Sequence, residues 1–220
     1  MSEPVYRESP LTALDLSARA DVSHRCPGAV AAEKPFLGHL DLRGDPAMPA
    51  FSAAARSVIG FDLPLDANTV TAGRELAVFW LGPDEWLILT PGGREVAVAQ
   101  ALTAALDGLF AAVTDVSGGQ TVITLGGGRA RDVLVKGCSL DLHPRVFGPG
   151  QCAQTHLART GVLIRQVDEA PTFELIVRRS FADYLWRWIE DAAAEYGLAV
   201  ISDARPAAPT GAAVAVTSSS

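Results

Sequence analysis

The sequence predicts an α+β fold built from a duplicated strand–helix–strand–strand–helix unit. Three observations carry that expectation. Short strand-like runs come in adjacent, hairpin-like pairs, which breaks the strand–helix alternation of a doubly wound parallel sheet. Both halves of the chain repeat the same order of elements. The passage WLILTPGGREVAVAQAL from Trp86 also matches FELIVRRSFADYLWRWI from Phe173 in pattern, with little identity.

Taken in order, residues 1–34 read as an irregular arm broken by Pro4, Pro10 and Pro27, poised to lie across another surface. Phe36 to Leu42 alternates as a strand does. Asp45–Pro46 then offers an N-cap acceptor and a first-turn proline to a helix ending at Ile59, before Gly60. Glu75–Leu81 and Asp84–Thr90 are strands around a tight Gly82–Pro83 turn. An alanine-rich helix follows Gly92–Gly93 and ends near Leu109. The second pseudo-repeat, 111–203 against 35–110, begins with strands at Val113–Val116 and Thr121–Leu125. Gly126–Gly128 turn into a helix at Arg129–Val135, closed by Gly137. Strands at Gln154–Leu157, Val162–Val167 and Thr172–Val177 lead to a last helix. Its Ser180 hydroxyl is placed to cap the Asp183 N–H. Phe181, Leu185, Trp188, Ile189, Ala192 and Tyr196 define its apolar stripe, and Gly197 its end. Trp186 falls off that stripe beside Arg187, so this pair is the candidate contact with a partner protein. The competing reading has Trp186 covering its own sheet. Residues 204–220 are a small-residue tail read as disordered.

The 220 residues carry 18 Lys and Arg against 25 Asp and Glu, a net charge of −7, with the basic residues scattered. That balance argues against nucleic acid or an anionic membrane as partner. No apolar run reaches the roughly 20 residues needed to span a bilayer, and the acidic, proline-broken N-terminus is no signal peptide. The unpaired set Cys26, Cys138 and Cys152 predicts reduced thiols and a cytoplasmic setting. A mean hydropathy of +0.21 is high for so acidic a chain and points to surface hidden in an assembly.

Gly126–Gly127–Gly128, with Arg129 and Arg131, has the placement of an anion-binding turn, but lacks the Lys-Ser/Thr of a phosphate loop. A plain strand-to-helix turn is the simpler reading. Cys138, His143, Cys152 and His156 are zinc-type ligands without zinc spacing. Asp84, Glu85 and Asp115 supply carboxylates, and Ser117 or Ser180 a hydroxyl. No histidine stands in a partner motif, so no catalytic, cofactor-binding or metal residue is assigned.

The strings SPLTAL, GPDEWLIL, TDVSGGQTVITLGG, VLVKGCSLDLHPRVFGPG and RRSFADYLWRWIEDAAAEYG together resemble the gamma subunit of heterotetrameric sarcosine oxidase. The likeness spans residues 9 to about 201. It implies a subunit of a flavoenzyme that oxidatively demethylates sarcosine to glycine, with hydrogen peroxide and 5,10-methylenetetrahydrofolate as products. It also implies that alpha, beta and delta subunits are the partners, and that FAD, FMN, NAD, tetrahydrofolate and zinc belong to them. The second half is similar to the tetrahydrofolate-binding aminomethyltransferase of the glycine cleavage system, through DVSGGQTVITLGGGRARDVL, RTGV at Arg159–Val162 and FEL at Phe173–Leu175. That implies the same folate-binding type of fold. Val162, Leu163 and Ile164 stand where that family has Tyr, Thr and Gly. Ser139–Leu140–Asp141 follow Lys136–Gly137–Cys138 where a related folate-binding family has Tyr-x-Gly. The resemblance therefore implies a retained fold with its folate chemistry lost. A free-standing folate-binding module, or the same subunit of a related N-methyl amino acid dehydrogenase, are the other readings.

Overall fold

The computed structural model describes residues 7–20 and 27–202. The chain runs through α1 (Leu16–Ala20), β1 (Ala29–Lys34), β2 (Gly38–Gly44), α2 (Pro49–Ile59), β3 (Val70–Ala72), β4 (Ala77–Gly82), β5 (Glu85–Thr90), α3 (Glu95–Ala105) and β6 (Ala111–Asp115). It continues as β7 (Gln120–Gly126), α4 (Ala130–Val135), β8 (Cys152–Leu157), β9 (Thr160–Asp168), β10 (Thr172–Arg178), α5 (Ala182–Ala193) and β11 (Leu198–Ser202). One sheet has the order β3-β4-β5-β2-β6 and the other β11-β1-β7-β10-β9-β8. The duplication is visible in the pairing. β2 pairs antiparallel with β5, the second strand of the β4–β5 hairpin, and β7 pairs likewise with β10 of β9–β10. A helix, α3 or α5, follows each hairpin.

The sheets lie back to back between outer helices. On β5, Trp86 and Ile88 pack with α2 and α3 residues such as Phe51, Ala55 and Leu102, while Leu87 and Leu89 meet the other sheet. On β10, Phe173, Leu175 and Val177 face α4 and α5, and Ile176 faces inward. Strands buried on both sides lose the polar half of their alternation, which is why they read as apolar runs. A buried acid between the sheets is paired with two cations. Glu174 is 2% exposed. It accepts from Lys34 Nζ at 2.8 Å and Arg165 Nε at 2.6 Å, and the Arg165 guanidinium lies 5.1 Å from the Phe79 ring.

Several expectations are corrected. The region 1–34 is not wholly irregular: β1 sits inside the six-stranded sheet, parallel to β11 and antiparallel to β7. Residues 7–20 lie on the chain's own body, with Leu11 1% exposed in its core and Arg7 donating to Glu95 at 3.0 Å. β6 pairs with β2, so the first unit extends to Asp115 and does not close at 110. α2 starts at Pro49; Asp45 instead accepts from the Ala47 N–H at 2.9 Å in a turn ahead of it. α5 is entered through a short 3₁₀ turn, Arg179–Phe181, with no side-chain cap from Ser180. Gly60 at φ 90° ends α2 as expected. The tail 204–220 lies outside the described residues.

Candidate functional site

α5 turns Ala182, Leu185, Trp186, Ile189, Ala192 and Ala193 inward. Trp186 is 0% exposed, and its Nε1 donates to Glu190 Oε1 at 2.8 Å. The expected outward Trp186 is thus corrected: the ring completes this chain's own core and is not on its surface. The true stripe is turned relative to the predicted one because Ala182 and Ala193, both fully buried, seat the helix close to the sheet. Trp188, assigned to the stripe, is only partly buried beside Gly137. Arg187 is exposed and its Nε donates to Asp183 Oδ2 at 2.9 Å. The exposed aromatics of this region are Phe181, in the 3₁₀ turn before α5, and Tyr184 in the helix's first turn, 45% and 38% accessible. Neither stood out in the sequence, where Phe181 passed for a core residue.

Next to Phe181 the surface forms an open concavity of about 460 Å³, lined by Pro10, Gly118, Gly119, Arg178, Arg179 and Ser180. The β7–β10 pairing sets Arg178 opposite Gln120, which brings the Gly118–Gly119 turn against the basic pair. Arg179 donates to the Glu8 carbonyl at 2.6 Å, so the N-terminal segment forms one wall. This is a basic, glycine-floored surface on an acidic chain, and only the strand register makes it. The sequence showed the two arginines but not the glycines across from them.

The other candidate groups serve the fold. In the glycine turn, Gly127 has φ 98°, and a Cβ there would lie 2.7 Å from the Gly28 carbonyl. That carbonyl accepts the Arg129 N–H at 2.9 Å. Arg129 pairs with Asp132 at 2.9 Å. Arg131 donates to the Leu142 carbonyl and to Gln166 Oε1, the latter at 2.7 Å. Cys152 Sγ donates to the Thr69 carbonyl at 3.2 Å, and burial pushes this thiol up to about 11. Cys138 Sγ lies 4.0 Å from Thr155 Oγ1, while His143 Nδ1 accepts from the Arg145 N–H at 3.2 Å. Among the described residues no three His, Cys, Asp or Glu groups come together as metal ligands, and Cys26 lies outside them.

A serine, a histidine and an aspartate do approach one another. Ser117 Oγ donates to Asp115 and accepts from the backbone N–H of His39 at 2.9 Å. The imidazole of His39 is turned elsewhere, with Nδ1 3.1 Å from the Leu37 carbonyl and the residue 1% exposed. Burial pushes its pKa down to about 4, against the opposing pull of the Leu37 hydrogen bond and the Asp115 charge. Without a ring nitrogen on the hydroxyl, the geometry is not that of a nucleophile and its base. Asp84 occupies the β4–β5 turn, and Glu85 pairs with Arg43 at 2.7 Å.

The fold family raises the question of a pterin, and the residues do not fit one. Val162, Leu163 and Ile164 are 5%, 8% and 1% exposed and packed into the two faces of β9, offering neither aromatic nor carboxylate. Lys136 is held by the Ala192 carbonyl and Glu195.

Comparison with known proteins gives a consistent result. A family model described as the sarcosine oxidase, gamma subunit family matches residues 43–195. Sarcosine oxidase subunit gamma of Corynebacterium sp. (strain P-1) is 37% identical over 162 residues, 73% of this chain and 78% of that protein. The subunit gamma of an Arthrobacter species is 35% identical over 168 residues, 76% and 81% of the two chains. A chain of the heterotetrameric sarcosine oxidase from Corynebacterium sp. U-96, solved in complex with pyrrole 2-carboxylate, superposes with a TM-score of 0.78 at 32% identity. That match covers 86% of this chain and 96% of the other. Aminomethyltransferase T of the glycine cleavage system from Bartonella henselae shares the fold, with a TM-score of 0.59 at 16% identity over 80% of this chain and 49% of that one.

Proposed function

Since the chain belongs to the sarcosine oxidase gamma subunit family, we propose that it serves as the non-catalytic, structural gamma subunit of a cytoplasmic heterotetrameric sarcosine oxidase. In this reading the complex demethylates sarcosine oxidatively to glycine, with hydrogen peroxide and 5,10-methylenetetrahydrofolate as products. The alpha, beta and delta subunits are the partners. FAD, FMN, NAD, tetrahydrofolate and zinc are held by those subunits and not by this chain.

The observation that carries the reading is the superposition of 86% of this chain on a chain of a heterotetrameric sarcosine oxidase. The fate of the candidate chemical groups supports the passive role. Arg131, Cys152, Lys136 and Glu174 are each engaged in contacts that join elements of the fold, and the pterin positions are filled by aliphatic core. With Trp186 internal, Tyr184 and Arg187 of α5 and Phe181 just before it become the residues offered to a partner. In the test, this chain is co-expressed with the other three subunits and also purified alone. The complex is expected to carry flavin absorbance and to form peroxide from sarcosine, and the chain alone to do neither. Sarcosine turnover by the isolated chain would overturn the proposal.

A further inference from the structure

β6 is the last strand of the five-stranded sheet, paired on one side with β2. The register shows which of its backbone groups are free. The Val116 N–H donates to the His39 carbonyl at 2.9 Å, and in an antiparallel ladder the bonded pairs alternate. Ala112, opposite Arg43, and Thr114, opposite Asp41, therefore aim their N–H and C=O groups at β2. Val113 and Asp115 aim theirs away from the sheet.

β6 itself carries no lysine, proline or bulge to guard this edge. Soluble proteins blunt open edges with lysines, prolines, bulges or covering segments. Here no Lys, Arg or His occurs between Arg94 and Arg129, the strand reads AAVTD, and the β2–β6 register is unbroken. The nearest cation across the ladder, Arg43, is held by Glu85 and Asp41. Phe110, immediately before β6, is 96% exposed, against 45% for Phe181. A phenylalanine that exposed, set immediately before a strand, has the form of an interface anchor.

The edge's chemistry also selects its occupant. Free N–H and C=O groups at alternate residues are satisfied by an extended backbone. Asp107 and Asp115, both exposed, flank the strand and favour cations on that backbone. A second copy brings another charge of −7 and the same cation-free edge. We propose that the β6 edge, with Phe110 as its anchor, is where an extended, cation-bearing segment of another subunit of the oxidase adds a strand to this sheet. The proposal rests on the reading of the chain as a subunit.

Phe110→Ala and Val113→Pro test it in the four-subunit complex. Phe110 is bare, so its truncation leaves the isolated chain folded. Val113 presents its N–H outward, so proline there removes an edge donor without breaking the β2 ladder. Each variant is expected to keep the circular dichroism of the wild-type chain and to associate with the other subunits about tenfold more weakly or worse. The amides of Val113 and Asp115 are expected to exchange freely in the isolated chain and to be protected in the complex. Wild-type association by both variants, or equally fast exchange in the complex, overturns the proposal. Self-association of the isolated chain abolished by Phe110→Ala also overturns it, by giving the edge to a second copy. Failure of the wild-type chain to join the complex would instead strike the subunit reading.

Discussion

Trp186 shows how much a single side chain decides. An indole removed from water and bonded to Glu190 is a core residue, and Trp186→Ala should cost about 3–5 kcal/mol. In urea denaturation the midpoint of this variant is expected to fall sharply, whereas Arg187→Ala should leave it within error, its ion pair being exposed on both sides. An unchanged midpoint in Trp186→Ala would return the ring to the surface. His39 makes a second prediction at this scale. Unfolded, its imidazole takes up a proton near pH 6.5; folded, it resists until about pH 4. The unfolded state therefore binds more protons between these values, and stability must fall as pH drops through that window, by up to about 3 kcal/mol. His39→Gln is expected to flatten this slope. Glu174 adds a lower limb. Desolvation alone would raise its pKa, but Arg165 and Lys34 outweigh it and hold the carboxyl below its usual range. Its contribution is therefore present above the unfolded carboxylate pKa and lost as pH falls through the lower folded value. Glu174→Gln should reduce that acid sensitivity below about pH 4.

At the scale of elements, the hairpins β4–β5 and β9–β10 were readable because their signals are local: apolar runs bounded by turn residues. β1 and β11 were not. β1 reads AVAAEK, poor in β-branched residues, and is held by a parallel partner about 170 positions later, information no window contains. The end of α2 at Gly60 was legible from one glycine. The facing of α5 was misjudged because the stripe was drawn through its large residues, when the alanines at 182 and 193 set the contact. The basic concavity and the β6 edge share that difficulty, since each depends on which strand lies beside which. The glycine turn offers a test at this scale. Gly127→Ala places a Cβ against the Gly28 carbonyl at a positive φ and should lower stability by about 1–3 kcal/mol. A neutral result in thermal denaturation would mean that β1 and the β7–α4 turn are not packed as described.

For the whole molecule, two sheets lie back to back with helices outside. The inter-sheet layer is filled by Phe79, Leu87, Leu89, Val122, Leu163 and Ile176, with Glu174 tied to Lys34 and Arg165 among them. The fold is shared with an aminomethyltransferase, and Val162, Leu163 and Ile164 of β9 are buried aliphatic side chains. Among the groups exposed outward are Phe110 with the β6 edge, Phe181 beside the basic concavity, and Tyr184 and Arg187 on α5. The most direct measurement is sarcosine-dependent peroxide formation and flavin absorbance, compared between the isolated chain and its complex with the alpha, beta and delta subunits. Both signals are expected in the complex and neither in the isolated chain; flavin or turnover in the isolated chain would contradict a purely structural role.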